Sequence, residues 1–309
     1  MSYVLRRLGW TLLVVWFVVT ATFAMIVAIP AEPARALLGP HASAEAIVRV
    51  RAQYCLDASL VEQYGCYVGR IARGDLGESF RTHRSVGAVI ADRLWPTVQL
   101  TLAALLIQLG IGIPLGMWAA TRRRRWPDHL TSVVALVGQS APTFFIGTLL
   151  LYVFSYGFDW FPFGGYGSGV LDRLYHLVLP ATTLAALGIA YYARLVRSEL
   201  TEILGADYIR TARAKGLSER DVIRRHALRP VLAPLTSLIG IDLGIMLGGA
   251  VVTESIFAWP GLGREILQAV LEVDIPMILG VVLVSAIAIA LANLLADLVA
   301  VKLDPRLRD

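Results

Sequence analysis

Residues that commonly carry enzymatic chemistry are sparse in this chain of 309 residues. Its only lysines are Lys215 and Lys302, and they follow Ala214 and Val301 rather than glycine. A phosphate-binding P-loop needs a glycine directly before its lysine, because the backbone must wrap closely around the nucleotide phosphates. The sequence therefore excludes nucleotide binding by a P-loop, and any ATP-driven work must come from another subunit.

The histidines and serines give no sign of a catalytic centre. No two histidines stand at metal-ligand spacing, and the zinc-binding pattern His-Glu-x-x-His is absent. Ser168 lies between glycines as in a nucleophile turn, but no strand precedes it, so a flexible loop is the better interpretation. We predict that the chain is not an enzyme and holds no metal and no cofactor of its own. The histidines are His41, His83, His129, His176 and His226.

Composition places much of the chain in lipid. Hydrophobic residues make up 57% of it and charged residues 17%, whereas soluble proteins carry about 25% charged residues. Six apolar runs reach the roughly 20 residues that a helix needs to cross a hydrocarbon core about 30 Å thick. Because lipid offers no hydrogen-bond partners, each run is predicted to be helical, which gives an all-α integral membrane protein with six transmembrane helices. The runs are 8–29, 97–120, 130–158, 174–193, 231–253 and 275–296.

Basic residues sort by side of the membrane and so predict the topology. With the amino terminus inside, eighteen Lys and Arg lie in cytoplasmic segments, whereas the two short outer loops hold only Arg173 and Arg264. Both termini are therefore predicted to be cytoplasmic, and the first run is predicted to be a retained anchor, since it is too long for the apolar region of a signal peptide. The predicted parts are an amino-terminal tip with the first helix (1–29), an extracytoplasmic insertion (30–96), a five-helix core (97–300) and a cytoplasmic tail (301–309).

The insertion has signs of a small folded region. Four apolar residues recur at helical spacing, which predicts a helix whose apolar stripe rests on the membrane helices. The sequence Gly-Asp-Leu-Gly at 74–77 predicts a turn, followed by a polar helix that leads into the second span. Cys55 and Cys66 both lie in this outer segment, where an oxidising compartment permits a disulfide, and two free thiols are the alternative. The stripe consists of Val61, Tyr64, Val68 and Ile71.

Polar groups within the predicted spans are candidates for the path of a transported solute, because charges in lipid are costly and are usually functional or paired. Asp242 lies midway along the fifth span, and a structural contact inside the bundle is the alternative to a place in the path. Glu254 lies at the outer end of the same span, as an interfacial cap or a gate contact. With Met246, these two acids form our candidate pathway or gate.

A stripe of small residues also marks the fifth span. Gly240, Gly244 and Gly248 repeat every fourth residue, which lets another helix approach closely. The helix that packs against this glycine stripe belongs either to this chain or to a partner subunit. For Pro142 in the third span, a simple kink of the helix is the preferred interpretation. Both features allow packing alone or a gate, and the sequence does not separate these alternatives.

The longest cytoplasmic connection, residues 194–230, carries the most distinctive string of the chain. From Asp207 to Pro230 it reads DYIRTARAKGLSERDVIRRHALRP. The part before Gly216 is helix-prone, and Gly216 suits a left-handed helix stop. A second short helix is predicted at 219–228, leading back to the membrane at Pro230. On composition alone, this segment is a basic loop resting on anionic lipid headgroups.

The string at 207–217 resembles the EAA loop of ATP-binding-cassette importer permeases, in their dipeptide, oligopeptide and nickel branch. Three other segments are similar to that branch in the same order: GDLGESF at 74–80, GGAVVTESIFAWPGLG at 248–263 and NLLADLVAVKLDPRLR at 293–308. The resemblance implies the type I permease fold and a loop that docks on a cytoplasmic ATPase. The implied docking residues are Asp207, Tyr208, Arg210, Thr211, Ala212, Lys215, Gly216 and Leu217.

The same resemblance implies partners, substrates and location. A second homologous permease, two cytoplasmic ATPase subunits that carry ATP and Mg²⁺, and an extracytoplasmic solute-binding protein complete the implied machine in a bacterial or archaeal inner membrane. Small peptides are the first expected solute, with nickel chelates, glutathione and oligosaccharides as alternatives. Residues 30–33, 54–60 and 229–230 depart from the usual pattern of the branch, and the first two departures, which lie in the outer segment, weaken the substrate assignment. An ATP-independent carrier or channel is the alternative from another class.

Overall fold

The structure, a computed structural model, describes residues 2–28, 43–53, 55–79, 81–122 and 125–303. Within these ranges the fold is all-α, and extended backbone pairs only in one bridge between Glu78 and Ser85. Two π-helical segments are continuous with α-helices: Leu151–Gly157 extends α6, and Val222–Ala227 joins α9 to α10. The helices are α1 Ser2–Ala28, α2 Ala44–Gln53, α3 Leu60–Ala72, α4 Val86–Thr121, α5 Trp126–Ser140, α6 Thr143–Leu150, α7 Val170–Leu204, α8 Asp207–Ala214, α9 Glu219–Asp221, α10 Leu228–Gly249, α11 Val251–Ile256, α12 Leu262–Leu271 and α13 Ile275–Leu303.

Four helices of the described chain are long and apolar enough to cross a membrane as single elements. They correspond to the first, second, fourth and sixth predicted runs. The third run is a pair, Trp126–Ser140 and Thr143–Gly157, bent by 106°. The fifth run begins in α10, which contains the apolar helical stretch Leu238–Leu247, and ends in α11. The count of six spans therefore stays a prediction. The four single elements are Leu5–Ala28, Val86–Thr121, Val170–Leu204 and Ile275–Leu298.

Two helices extend beyond the predicted apolar runs, and one predicted kink lies at a helix start. The polar helix predicted before the second span is continuous with it, because α4 runs from Val86 through Pro96 without a break. The helix that contains the fourth predicted run continues beyond residue 193 to Leu204. Pro142 is not a kink inside a helix. It is the N-cap of α6, with φ −61° and ψ 140°, because proline disfavours helical backbone before it and lacks the amide that a helix interior requires.

The chain forms two compact units, and the first comprises residues 1–97 and 260–291. The predicted turn at 74–77 is confirmed, with left-handed backbone at both of its glycines. After the turn, Ser79 Oγ donates a 2.6 Å hydrogen bond to the buried carboxylate of Asp274. The carboxylate of Glu265 on α12 is also buried, and it pairs with Arg81 and, at 3.3 Å, with Arg93. These charged contacts fix the segment after the turn onto the start of α12 and of α13.

Helix α3 packs against α1, but not through the whole stripe that the sequence indicated. The Tyr64 hydroxyl lies 2.9 Å from Thr20 Oγ1, and the Tyr67 hydroxyl donates to Thr22 Oγ1 over 2.9 Å. Val61, by contrast, is 82% exposed. The side of α3 that packs against α1 thus carries the two tyrosines. Their hydroxyls contact Thr20 and Thr22, and the hydroxyls of these threonines also donate to backbone carbonyls of α1.

A disulfide joins Cys55 to Cys66 in the structure. Cys55 belongs to the turn before α3, and its backbone is left-handed, with φ +55°. Cys66 lies on α3 itself. The bond therefore fastens this turn to the helix that it precedes.

We expect this bond to be detectable by thiol labelling of intact cells. The unreduced protein should give no reaction with a membrane-impermeant maleimide, because both thiols are consumed in the bond. Cys55→Ser and its matched variant Cys66→Ser should each expose one thiol that labels from outside without permeabilisation. Labelling of the unreduced parent chain would contradict the disulfide, and labelling only after permeabilisation would contradict the outer location.

The second unit comprises residues 98–259 and 292–309, and small residues let its helices approach closely. A Cβ on Gly112 of α4 would lie 3.0 Å from the carbonyl oxygen of Ile189 on α7, and one on Gly116 would meet the α7 backbone directly. This Gly-x-x-x-Gly contact was not predicted from the sequence. On α10, Gly240 packs against Ala296 of α13. At this glycine, the stripe at 240–248 is thus a packing seam within the chain.

Candidate functional site

The connection between α7 and α10 is built around the short helix α8. Gly205 ends α7, Ala206 is the N-cap of α8, and Gly216 follows its last residues. Gly216 has φ +81°, so the predicted left-handed helix stop is confirmed. Glycine adopts this conformation without the cost of about 1–2 kcal/mol that a Cβ would add. The chain therefore turns sharply after one short, well-bounded helix.

One face of α8 is anchored in the second unit. Ile209 is fully buried and Ala212 is 6% exposed. They pack in a cluster with side chains of α4, α7, the π-helical segment and α10. Burying a side chain of this size contributes about 1.5–3 kcal/mol, so α8 is held firmly on the body of the unit. The buried cluster consists of Ala120, Tyr192, Val196, Leu200, Ile209, Ala212, Val222, Ala227, Val231 and Leu235.

The opposite face of α8 is exposed and mostly polar. Tyr208 is 48% exposed and presents an aromatic ring among charged neighbours. Arg210 and Asp207 form an exposed ion pair at 3.2 Å, which contributes little to stability in water. Two of the eight predicted docking residues do not share this face, because Ala212 is buried and Leu217 is half-buried. The six that do are Asp207, Tyr208, Arg210, Thr211, Lys215 and Gly216.

A clamp across the turn at Gly216 was not foreseen from the sequence. Arg213 Nη2 lies 2.6 Å from Glu219 Oε1, and its Nη1 donates to the carbonyl of Leu204 over 3.3 Å. The hydrogen bond from Arg213 lowers the pKa of the Glu219 carboxyl more than partial burial raises it. The clamp is therefore present at neutral pH and is lost as the pH falls through that lowered pKa. The sequence does contain a signal for this ion pair, because Arg213 and Glu219 carry opposite charges on either side of Gly216.

The second half of the connection differs from its prediction. Instead of a separate helix at 219–228 that returns to the membrane at Pro230, α9 passes through the π-helical segment directly into α10. Ser218 caps α9 by accepting a hydrogen bond from the Asp221 amide over 3.2 Å. Pro230 lies inside this continuous helix, where its missing amide hydrogen leaves one helical hydrogen bond unmade. The turn after α8 thus leads into one continuous helix, from Glu219 to Gly249.

A buried ion pair links two further helices of this unit. Arg197 Nε on α7 donates to the carboxylate of Asp128 on α5, which is 5% exposed. Arg197 lies in the part of α7 beyond the predicted span. The pair fixes α5 to the same extension of α7 that carries Val196 and Leu200 into the α8 cluster.

A cavity of about 430 Å³ lies in the second unit and contains two of the three predicted pathway residues. Asp242 and Met246 both line it. Gln108 on α4 donates from Nε2 to Asp242 Oδ2 over 2.7 Å. The volume is within the range of about 300–1,000 Å³ that small-molecule sites occupy. Gln108 itself lies at the cavity wall.

Glu254 does not join the other two pathway residues. It is fully buried on α11, and its backbone carbonyl accepts a 2.8 Å hydrogen bond from the amide of Trp259. Trp259 is also fully buried and stacks edge-to-face with Tyr166. In this conformation Glu254 belongs to a packed corner of the unit, not to the cavity wall.

Two family descriptions together match almost the whole chain. Residues 112–309 match the "Binding-protein-dependent transport system inner membrane component". Residues 1–101 match the "Binding-prot-dependent transport system membrane comp, N-term".

Individual transport proteins are also similar to this chain. The chain is 37% identical over 308 residues to the glutathione transport system permease protein GsiC of Escherichia coli (strain K12), covering 100% of this chain and 99% of that protein. The GsiC protein of Salmonella typhimurium (strain LT2) matches with the same identity and coverage. An inward-facing structure of the methionine ABC transporter MetNI aligns with TM-score 0.56 and 19% identity, over 70% of this chain and 96% of that chain. This last likeness shows the fold alone.

Proposed function

This chain belongs to the family of binding-protein-dependent transport system inner membrane components, and from that premise we propose that it is the permease subunit of an ATP-driven importer of small peptides or glutathione. It is a multi-pass protein of the inner membrane. The family description makes its transport dependent on a solute-binding protein.

The observation that carries the coupling part of the proposal is the two-sided character of α8. Its inner face is anchored by Ile209 and Ala212, whereas its outer face presents Tyr208 among exposed charges. An element that is fixed on one side and exposed on the other can transmit force from a bound partner to the helices beneath it. Through α7 and α10, which flank α8 in the chain, such a force would reach the cavity at Asp242.

The proposed assembly contains this chain, a second homologous permease, two cytoplasmic ATPase subunits and an extracytoplasmic binding protein. ATP and Mg²⁺ are bound by the ATPase subunits. The chain crosses the membrane six times with both termini in the cytoplasm, so α8 faces the ATPase and residues 30–96 face the binding protein. The transport step is alternating access, driven when the ATPase subunits close on ATP.

Two solute classes are supported to different degrees. The relatives at 37% identity are named for glutathione transport, and glutathione is itself a small peptide. Di- and oligopeptides share with it an amide backbone and charged ends, so the same cavity suits both. Glutathione is therefore the first solute to test, and dialanine represents the wider class.

Uptake into proteoliposomes tests the proposal. The full complex is reconstituted with the binding protein outside, and radiolabelled glutathione or dialanine is added with ATP or with a non-hydrolysable analogue inside. We expect uptake of at least one probe with ATP and none with the analogue. Uptake that is equal in both conditions, or that occurs with this chain alone, would identify an ATP-independent carrier or channel instead.

A further inference from the structure

The cavity in the second unit contains a carboxylate that lacks a counter-charge. No ion pair among the described residues involves Asp242. The phenol of Tyr192 interacts with it but is ordinarily uncharged at neutral pH, so it supplies no positive charge. Because an acidic side chain at membrane depth is costly unless it is paired, this arrangement is incomplete without a cation.

Gln108 adds a second hydrogen-bond acceptor at the same wall. Its side chain is fully buried, and while Nε2 is engaged by Asp242, Oε1 has no hydrogen-bond partner among the described residues. Gly188 on α7, also in the cavity wall, has no side chain, and this amide fills the space that a Cβ there would occupy. The amide thus holds the carboxylate in place and keeps one acceptor unsatisfied.

The rest of the wall is mainly apolar. Leu184 and Leu187 of α7 and Ile241 and Ile245 of α10 surround the two polar groups. Apolar walls lower the local dielectric, which strengthens attraction between Asp242 and any cation that enters. A protonated amine fits such a site because it carries one positive charge and three donors but no acceptor.

We propose that Asp242, positioned by Gln108, binds the protonated amine of the solute as it passes through the cavity. This inference rests on the proposed function and adds the chemical group that the permease itself recognises. It makes Asp242 a specificity-determining residue for solutes with a free amino group, in addition to any selection by the binding protein.

The test compares probes with and without the amine in two forms of the complex. ATP-dependent uptake is measured for glutathione and N-acetylglutathione, and for dialanine and N-acetyldialanine, with the parent chain and with Asp242→Asn. For each pair, the amine-to-acetyl uptake ratio in the parent is divided by that in the variant. Any preference of the binding protein cancels, because the same binding protein serves both complexes.

We expect the amine-to-acetyl ratio to fall on the order of tenfold in Asp242→Asn, as for loss of a hydrogen bond to a charged group. Asp242→Glu keeps the carboxylate and should retain the preference. Asp92→Asn, which removes an exposed carboxylate outside the cavity, should leave the ratio at its parent value. Glutathione monoethyl ester, whose altered charge lies at a carboxyl group, should respond to Asp242→Asn as glutathione does.

An unchanged ratio in Asp242→Asn would overturn the inference, whether uptake of both probes is retained or falls equally. In both cases the complex would still import solute with ATP, and the proposed function would stand. Absence of ATP-dependent uptake of every probe by the parent complex would instead overturn the proposed function, and the inference with it. Normal ATP hydrolysis by the purified variant complex verifies that Asp242→Asn has assembled.

Discussion

Gly216→Val is expected to abolish at least nine-tenths of ATP-dependent uptake while leaving insertion into the membrane normal. Gly216 has φ +81°, and a branched side chain there is strained by about 1–2 kcal/mol or more. The strain is relieved when the turn after α8 changes its path. Because the exposed face of α8 ends at this turn, a small change of path redirects the surface that we propose docks on the ATPase.

The matched control is Gly216→Asn. A Cβ at this position meets nothing within 4 Å, so the asparagine side chain has room, and asparagine tolerates left-handed backbone well. We expect it to retain most of the uptake and most of the affinity for the ATPase subunits, measured by co-purification and by ATPase stimulation. If Val and Asn variants were equally defective, the backbone conformation of Gly216 would not be the property that matters.

Features encoded within one segment could be predicted from the sequence. Apolar length indicated the four helices that are long enough to cross a membrane as single elements, and a glycine after a helix-prone string indicated where α8 stops. The spacing of Ile209 and Ala212, three residues apart, puts both on the buried face of that helix. These features depend on neighbours within a few residues, where helix geometry decides which side chains lie together.

Contacts between distant segments could not be predicted in the same way. Gln108 and Asp242 are 134 residues apart, and nothing in either local pattern pairs them. The extension of α7 beyond residue 193 is polar enough to read as a loop, yet Val196 and Leu200 are fully buried. They are buried because α8 folds back onto them, which is a tertiary contact that a single-segment pattern does not contain.

The position of Glu254 could not be predicted from the sequence either. Its position at the end of an apolar run indicated a gate or an interfacial cap, since acids in lipid are costly. The structure buries it completely beside the Trp259 corner, after Ala250 separates α10 from α11. Helix α11 packs against α6 and α7, which are distant from it in sequence, and hydropathy carries no signal for such contacts.

Ile209→Ala and Tyr208→Ala should separate the anchoring of α8 from its docking. Ile209 is fully buried, and truncating such a residue costs about 2–5 kcal/mol. We expect Ile209→Ala to lower the thermal unfolding temperature of the purified chain and to accelerate amide hydrogen exchange throughout α8. Uptake should fall because a loosened helix no longer transmits force, even where the ATPase subunits still bind.

Tyr208→Ala removes a side chain that is 48% exposed and lies beside Ile209 on the same helix. Stability and hydrogen exchange should stay close to the parent values, since exposed substitutions usually change stability by less than about 0.5 kcal/mol. Affinity for the ATPase subunits should fall by about fivefold or more, because a tyrosine at an interface often contributes over 1 kcal/mol. Unchanged ATPase affinity in Tyr208→Ala would remove this face of α8 from the docking surface. Unchanged exchange in Ile209→Ala would instead mean that the buried cluster does not hold α8 in place.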